Sequence, residues 1–183
     1  MLQALVLLAA TLTAQVRDPR GAGVAEAVVY AVPDRPMPLA KRTAVMDQKN
    51  RTFVPHVLPI QVGTAVKFPN SDDIRHQVYS FSPAKTFQLP LYKGTPANPI
   101  VFDTPGVATL GCNIHDRMSA YIVVVDTPYF ATTGRDGRTT LANVAAGRYT
   151  VRVWYPDMRA EPAPVALTVD ADGRGEAAFV TTR

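Results

Sequence analysis

The 183-residue sequence predicts an all-β protein made of β-sandwiches. Three observations carry that expectation. Short segments rich in β-branched and aromatic residues recur along the chain, many alternating apolar with polar positions. Turn signals separate them. Sixteen prolines oppose long helices, because each removes a backbone donor and clashes with the preceding turn.

In chain order, the expected strands cover residues 28–32, 52–62, 65–68, 77–81, 107–112, 121–125, 149–155 and 164–169. Tyr149, Val151 and Val153 alternate with Thr150 and Arg152, so that strand can bury one face. The turns between strands are Asp-Pro-Arg-Gly at 18–21, Pro-Asn-Ser-Asp at 69–72, Lys-Gly at 93–94, Pro-Gly at 105–106, and Asp-Gly at 136–137 and 172–173. Short strands with frequent turns suit a sandwich. The composition, 47% hydrophobic and 19% charged, is globular, and a chain of this length can fold without disulfides. No apolar run reaches the ~18 residues of a membrane span.

Residues 1–14, MLQALVLLAATLTA, read as a secretory signal: a short apolar run ending in small residues. That implies export to a periplasm and a mature chain starting near Gln15. A buried N-terminal strand or helix is the alternative. The net charge is +4, with no Lys or Arg run, so no nucleic-acid footprint is expected. All five lysines (Lys41, Lys49, Lys67, Lys85 and Lys93) lie between 41 and 126. This shift in composition divides the chain into 15–40, 41–126 and 127–183. It fits a central domain inserted into an outer one at a surface loop; a single larger sandwich is the alternative.

The chemistry concentrates around the single cysteine. Cys112, His115 and Met118 form C-x2-H-x2-M on a turn between two expected strands, where residues three apart can converge. Thiolate, imidazole and thioether are ligands that favour copper over magnesium or calcium. A blue-copper site needs a second histidine. Two others exist. His76 follows a loop at the start of a strand, whereas His56 reads as mid-strand and as a structural residue, so His76 fits better. A lone cysteine is commonly a small buried hydrophobe, but in an exported chain it is open to oxidation unless a metal holds it. Zinc is a possible occupant, although thioether serves it poorly. Haem c attachment is excluded, because C-x-x-C-H needs two cysteines.

Residues 46–126 resemble cupredoxins of the plastocyanin and amicyanin type. The matching residues are Phe53-Val54-Pro55, Gly63-Thr64-Ala65-Val66-Lys67-Phe68-Pro69-Asn70, His76, Pro105-Gly106 and the loop from Cys112 to Met118. The resemblance implies a Greek-key β-sandwich holding one copper ion, with His76, Cys112 and His115 equatorial and Met118 axial. It also implies that His115 is the electron port. Gln77 stands where plastocyanins commonly place an Asn that helps fix the cysteine loop. MDQ at 46–48, VYSFSPAKTF at 78–87, LGCNIHDRM at 110–118 and VVDTPYFA at 124–131 resemble periplasmic methylamine-utilisation (plastocyanin-like) proteins. Residues 16–32 and 136–155 resemble a carboxypeptidase regulatory-like (transthyretin-like) sandwich, with Thr139 and Ala145 replacing that family's usual aromatic and Pro.

The expected function is therefore periplasmic electron transfer by a mononuclear type 1 copper site. The partner would be a redox protein such as a c-type cytochrome or a dehydrogenase, steered by Arg75 and Arg117 beside the ligands. A non-redox copper-delivery protein or accessory binding module is the alternative. No catalytic residue set stands out, since Cys112 and His115 lack an orienting third group and an oxyanion site, so the chain is not expected to be an enzyme.

Overall fold

A computed structural model describes residues 10–170 and 174–182. The described residues contain strands and turns and no helix. The expected turn at 172–173 lies outside them. The chain divides into two compact units, one formed by the residues up to Met37 with those from Tyr129 on, the other by Pro38–Pro128.

The strands of the discontinuous unit are β1 (Ala10–Arg17) and β2 (Val28–Pro33). Those of the continuous unit are β3 (Thr43–Val45), β4 (Asp47–Lys49), β5 (Thr52–Val54), β6 (Val57–Gln61), β7 (Thr64–Lys67), β8 (His76–Ser82), β9 (Lys85–Tyr92), β10 (Ile100–Phe102), β11 (Gly106–Gly111) and β12 (Ser119–Val125). The chain then returns to the discontinuous unit with β13 (Phe130–Thr132), β14 (Arg138–Val144), β15 (Gly147–Trp154), β16 (Val165–Val169) and β17 (Arg174–Val180).

In the discontinuous unit a sheet of order β14-β1-β17 and a sheet of order β13-β2-β15-β16 share one core. Leu12, Val16, Leu141 and Phe179 from the first sheet pack with Val29, Ala31, Val151 and Val153 from the second. The alternation of Tyr149, Val151 and Val153 survives as a buried face along β15. Two glycines are needed where backbones cross. A Cβ on Gly23 would stand 2.2 Å from the Asp136 carbonyl carbon, and one on Gly137 2.1 Å from the Val16 oxygen. Gly137 also has φ +74°, which glycine adopts without strain.

The expected signal segment overlaps the first strand. Residues 1–9 lie outside the described residues, but Ala10–Ala14 is the first part of β1. Ala10, Leu12 and Ala14 are buried, and the strand pairs with both β14 and β17. A mature chain starting near Gln15 would lose that half of a central strand.

In the continuous unit, a five-stranded sheet of order β6-β12-β11-β8-β9 shares a core with a three-stranded sheet of order β10-β7-β3. β12 is parallel to β6 and antiparallel to β11. Val66 and Phe102 meet Val78, Ala108, Leu110 and Ile122 between the two sheets. The single strand expected at 52–62 is two, because Pro55 and His56 interrupt it after Val54. The hairpin β4–β5 lies beside this interruption.

Candidate metal centre

β11 ends at Gly111 and β12 begins at Ser119, so the antiparallel pair closes over the segment from Cys112 to Met118. The Met118 N–H donates to the His115 carbonyl at 2.9 Å, a tight turn that folds the segment back on itself. Cys112 and Met118 are buried in the sandwich core, at 4% and 2% exposure. Gly111 is fixed by its neighbour, since a Cβ there would stand 2.5 Å from the Tyr79 ring, which lies across it from β8. A larger residue before the thiol would have to push the end of the Tyr79 ring aside.

His76 opens β8 and is completely buried. Its Nδ1 lies 4.0 Å from Cys112 Sγ, and its ring centroid lies 5.0 Å from that of His115, the planes inclined at 58°. One donor atom each from His76, Cys112 and His115 fall within 4.8 Å of one another. Two nitrogens and a sulfur bound at about 2.0–2.3 Å to one ion would stand roughly 3.5–4 Å apart in a plane. The three side chains are therefore close to the spacing of a trigonal site.

A further observation concerns His115. Its Nδ1 is buried and has no hydrogen-bond partner. A buried polar atom left unpaired costs about 1–3 kcal/mol, and a metal ion among the three donors would satisfy this one. The donor set, two imidazoles and a thiol, fits one copper ion. His56 is not part of the group. It sits between β5 and β6, where its carbonyl accepts from the Tyr121 N–H at 2.9 Å and its ring meets the Tyr121 ring edge-on at 5.5 Å.

Asn70, which ends the segment that carries the cupredoxin resemblance, and Asp72, which the sequence offers only as a turn former, organise the loop that carries His76. The Asn70 amide donates to the carbonyls of Ile74 at 2.9 Å and Tyr92 at 2.8 Å, and its oxygen accepts from the Asp72 N–H at 3.0 Å. Asp72 Oδ2 lies 2.7 Å from His76 Nε2. Burial works to raise the Asp72 carboxyl pKa. Hydrogen bonds from the Arg51 N–H, His76 and the Asn50 N–H outweigh it and hold the carboxyl below its ordinary range. Gln77 is buried, while Asn70 does the loop-fixing on this side of the site.

Tyr92 borders the same region. Its hydroxyl donates to the Phe68 carbonyl at 2.7 Å and accepts from Gln48 Nε2. Burial, with the Asp47 and Cys112 charges adding to it, pushes its pKa up to about 12.

No protein-family model matches the chain, and no curated protein does. Among solved structures it is similar to a copper-containing nitrite reductase from Thermus scotoductus SA-01, at 24% identity over 52% of this chain and 27% of that one, with TM-score 0.44. It is also similar to a purple cupredoxin from Nitrosopumilus maritimus, at 23% identity over 45% of this chain and 99% of that one, with TM-score 0.40. A reduced Cu(I) form of an amicyanin mutant is 21% identical over 52% of this chain and 99% of that one, with TM-score 0.42. The chain thus spans about a quarter of the reductase. That match corrects one expectation. A nitrite reductase is an enzyme, so a single cysteine–histidine loop without a catalytic triad is no ground for calling this chain a non-enzyme.

Proposed function

We propose that this chain is a mononuclear copper protein that carries electrons. One copper ion would be held by His76, Cys112 and His115, with Met118 as a weak fourth ligand. The observation that carries the proposal is the convergence of a buried thiol and two imidazoles, one with an orphaned Nδ1. Bound copper supplies a one-electron change of oxidation state. The chain supplies a fixed set of donors. Cys112 and Met118 close the two ends of one turn between paired strands, and His76 is tied into β8 and to Asp72. A site held this firmly changes shape little between oxidation states, which favours fast transfer. His115 is the least buried of the three donors and is the proposed electron port. Arg75 and Arg117 are exposed beside the ligands and would attract an acidic partner.

The setting belongs to the same proposal. The partner would be a periplasmic c-type cytochrome or dehydrogenase, and the discontinuous sandwich a carboxypeptidase regulatory-like module. No helix among the described residues is long and apolar enough to cross a membrane.

Protein-film voltammetry of the copper-loaded protein tests the function. A reversible one-electron couple that survives repeated cycling, with rapid oxidation of the reduced protein by a c-type cytochrome, is the expected result. Loss of Cu(I) to a competing chelator on the first reduction would instead make this a delivery protein and overturn the electron-transfer reading.

A further inference from the structure

Asp72 ties its own loop, four residues before His76, to a turn some twenty residues earlier in the chain. Its Oδ1 accepts the Asn50 N–H at 2.6 Å, and its Oδ2 accepts the Arg51 N–H at 2.8 Å. Its Oδ2 also lies 2.7 Å from His76 Nε2. Asn50 and Arg51 form the turn of the β4–β5 hairpin. Both adopt left-handed backbone, with φ of 56° and 58°. Asn tolerates that region; a long side chain such as Arg enters it only against a steric penalty. In this turn two successive N–H groups point at one carboxylate, and their capture helps offset the penalty.

The contact with His76 has a chemical consequence. The Asp72 side chain is 13% exposed and His76 is fully buried. An ionised carboxylate can only accept hydrogen bonds, so Nε2 must carry the proton. A neutral imidazole has one proton, which leaves Nδ1 as a free lone pair. That Nδ1 is the nitrogen 4.0 Å from Cys112 Sγ.

We propose that Asp72 is a positioning residue of the metal centre: it selects the Nε2–H tautomer of His76, aims Nδ1 at the site, and locks the ring to the β4–β5 turn. The inference rests on the copper reading for its effect on metal, but its effect on the tautomer stands without metal. A carboxylate behind a ligating imidazole fixes the ring and makes it a stronger donor. A stronger donor favours Cu(II) over Cu(I), so Asp72 lowers the reduction potential.

The test compares the full chain with Asp72→Asn, which is nearly isosteric and uncharged. Asp72→Ala serves as a second variant. Nitrogen-15 NMR of the metal-free protein at mildly alkaline pH should show His76 as the Nε2–H tautomer with a slowly exchanging ring proton. In Asp72→Asn that proton should exchange faster and the tautomers should mix. Cu(II) affinity should fall about 10- to 100-fold, and the reduction potential should rise. A purely structural role would lower the melting temperature and leave tautomer and potential unchanged, and that result overturns the inference. So does a wild-type His76 protonated at Nδ1. Wild type failing to bind copper, with the Nε2–H tautomer present and lost in the variant, would sink the copper reading and keep the role of Asp72.

Discussion

The two units are both two-sheet sandwiches, yet they bury different things. Among its described residues, the discontinuous unit buries the polar side chains of Thr133 and Thr181. The continuous unit buries Gln48, Gln61, Thr64, Asn70, His76, Gln77, Ser80 and Thr127 among its described residues. An apolar core gains stability from packing alone. Each buried polar group must find a partner or cost about 1–3 kcal/mol. Much of this burden in the continuous unit surrounds His76: Asn70 fixes its loop, and Gln48 and Tyr92 bond each other alongside. Among the described residues, the continuous unit is the one that concentrates buried polar side chains, several of them around the donor cluster.

The difference can be broken from either side. His76→Ala should have the largest effect on metal, lowering copper affinity by more than about 100-fold, beyond the loss of an outer partner. The fold should survive, as circular dichroism would show, because the rest of the core between the two sheets remains. Leu141→Ala, a cavity in the core of the discontinuous unit, should cost about 2–5 kcal/mol in denaturant unfolding. It should leave the copper spectrum unchanged, and a changed spectrum would mean that the units are not separable in function. Gly111→Ala should cost about 1–3 kcal/mol, because the new methyl meets the Tyr79 ring. Unlike Leu141→Ala it should also move the copper absorption, because it displaces the backbone beside Cys112.

The smallest effect is expected at Tyr92. Tyr92→Phe removes a hydrogen bond to Phe68 and should cost about 1–2 kcal/mol. The pH dependence has a definite sign. The folded-state pKa of about 12 lies above the ordinary value of 10.0. The protonated form is therefore the one that folding favours. Its contribution is complete below pH 10 and is lost as pH rises through about 12. Ultraviolet titration should find one tyrosine of this unit ionising late, absent in Tyr92→Phe. Tyr149 provides the counterpart in the other unit. Burial, helped by Tyr129, pushes it up to about 12 as well, so late ionisation alone does not mark the metal-bearing unit.

The sequence shows some strands and misses others. β1 and β17 each bury one face, yet neither is among the expected strands. The first half of β1 reads as a signal segment, and Arg174-Gly175-Glu176 open β17. β8, β11, β12 and β15 announce themselves through apolar residues that end up in the cores. β9 does not. It is an edge strand with no buried position along its length, and Pro90 interrupts its pattern. The short strands β3, β4 and β13 carry too few residues for any period. The site divides in the same way. Cys112, His115 and Met118 are legible because one turn carries them. His76 is legible from its loop-to-strand context, although it lies far along the chain. Asp72 is not, because its hydrogen bonds to Asn50 and Arg51 exist only once a distant hairpin has folded against its loop. Sequence spacing reveals ligands that share a turn; the groups that aim them emerge from tertiary structure.

The central claim is that His76, Cys112 and His115 hold one copper ion through a thiolate bond. Titration of the full chain with Cu(II), followed by optical and EPR spectroscopy, tests it most directly. The account predicts an intense blue or green sulfur-to-copper charge-transfer band that saturates at one equivalent and disappears in Cys112→Ser. A colourless complex, or a band that survives in Cys112→Ser, would contradict it.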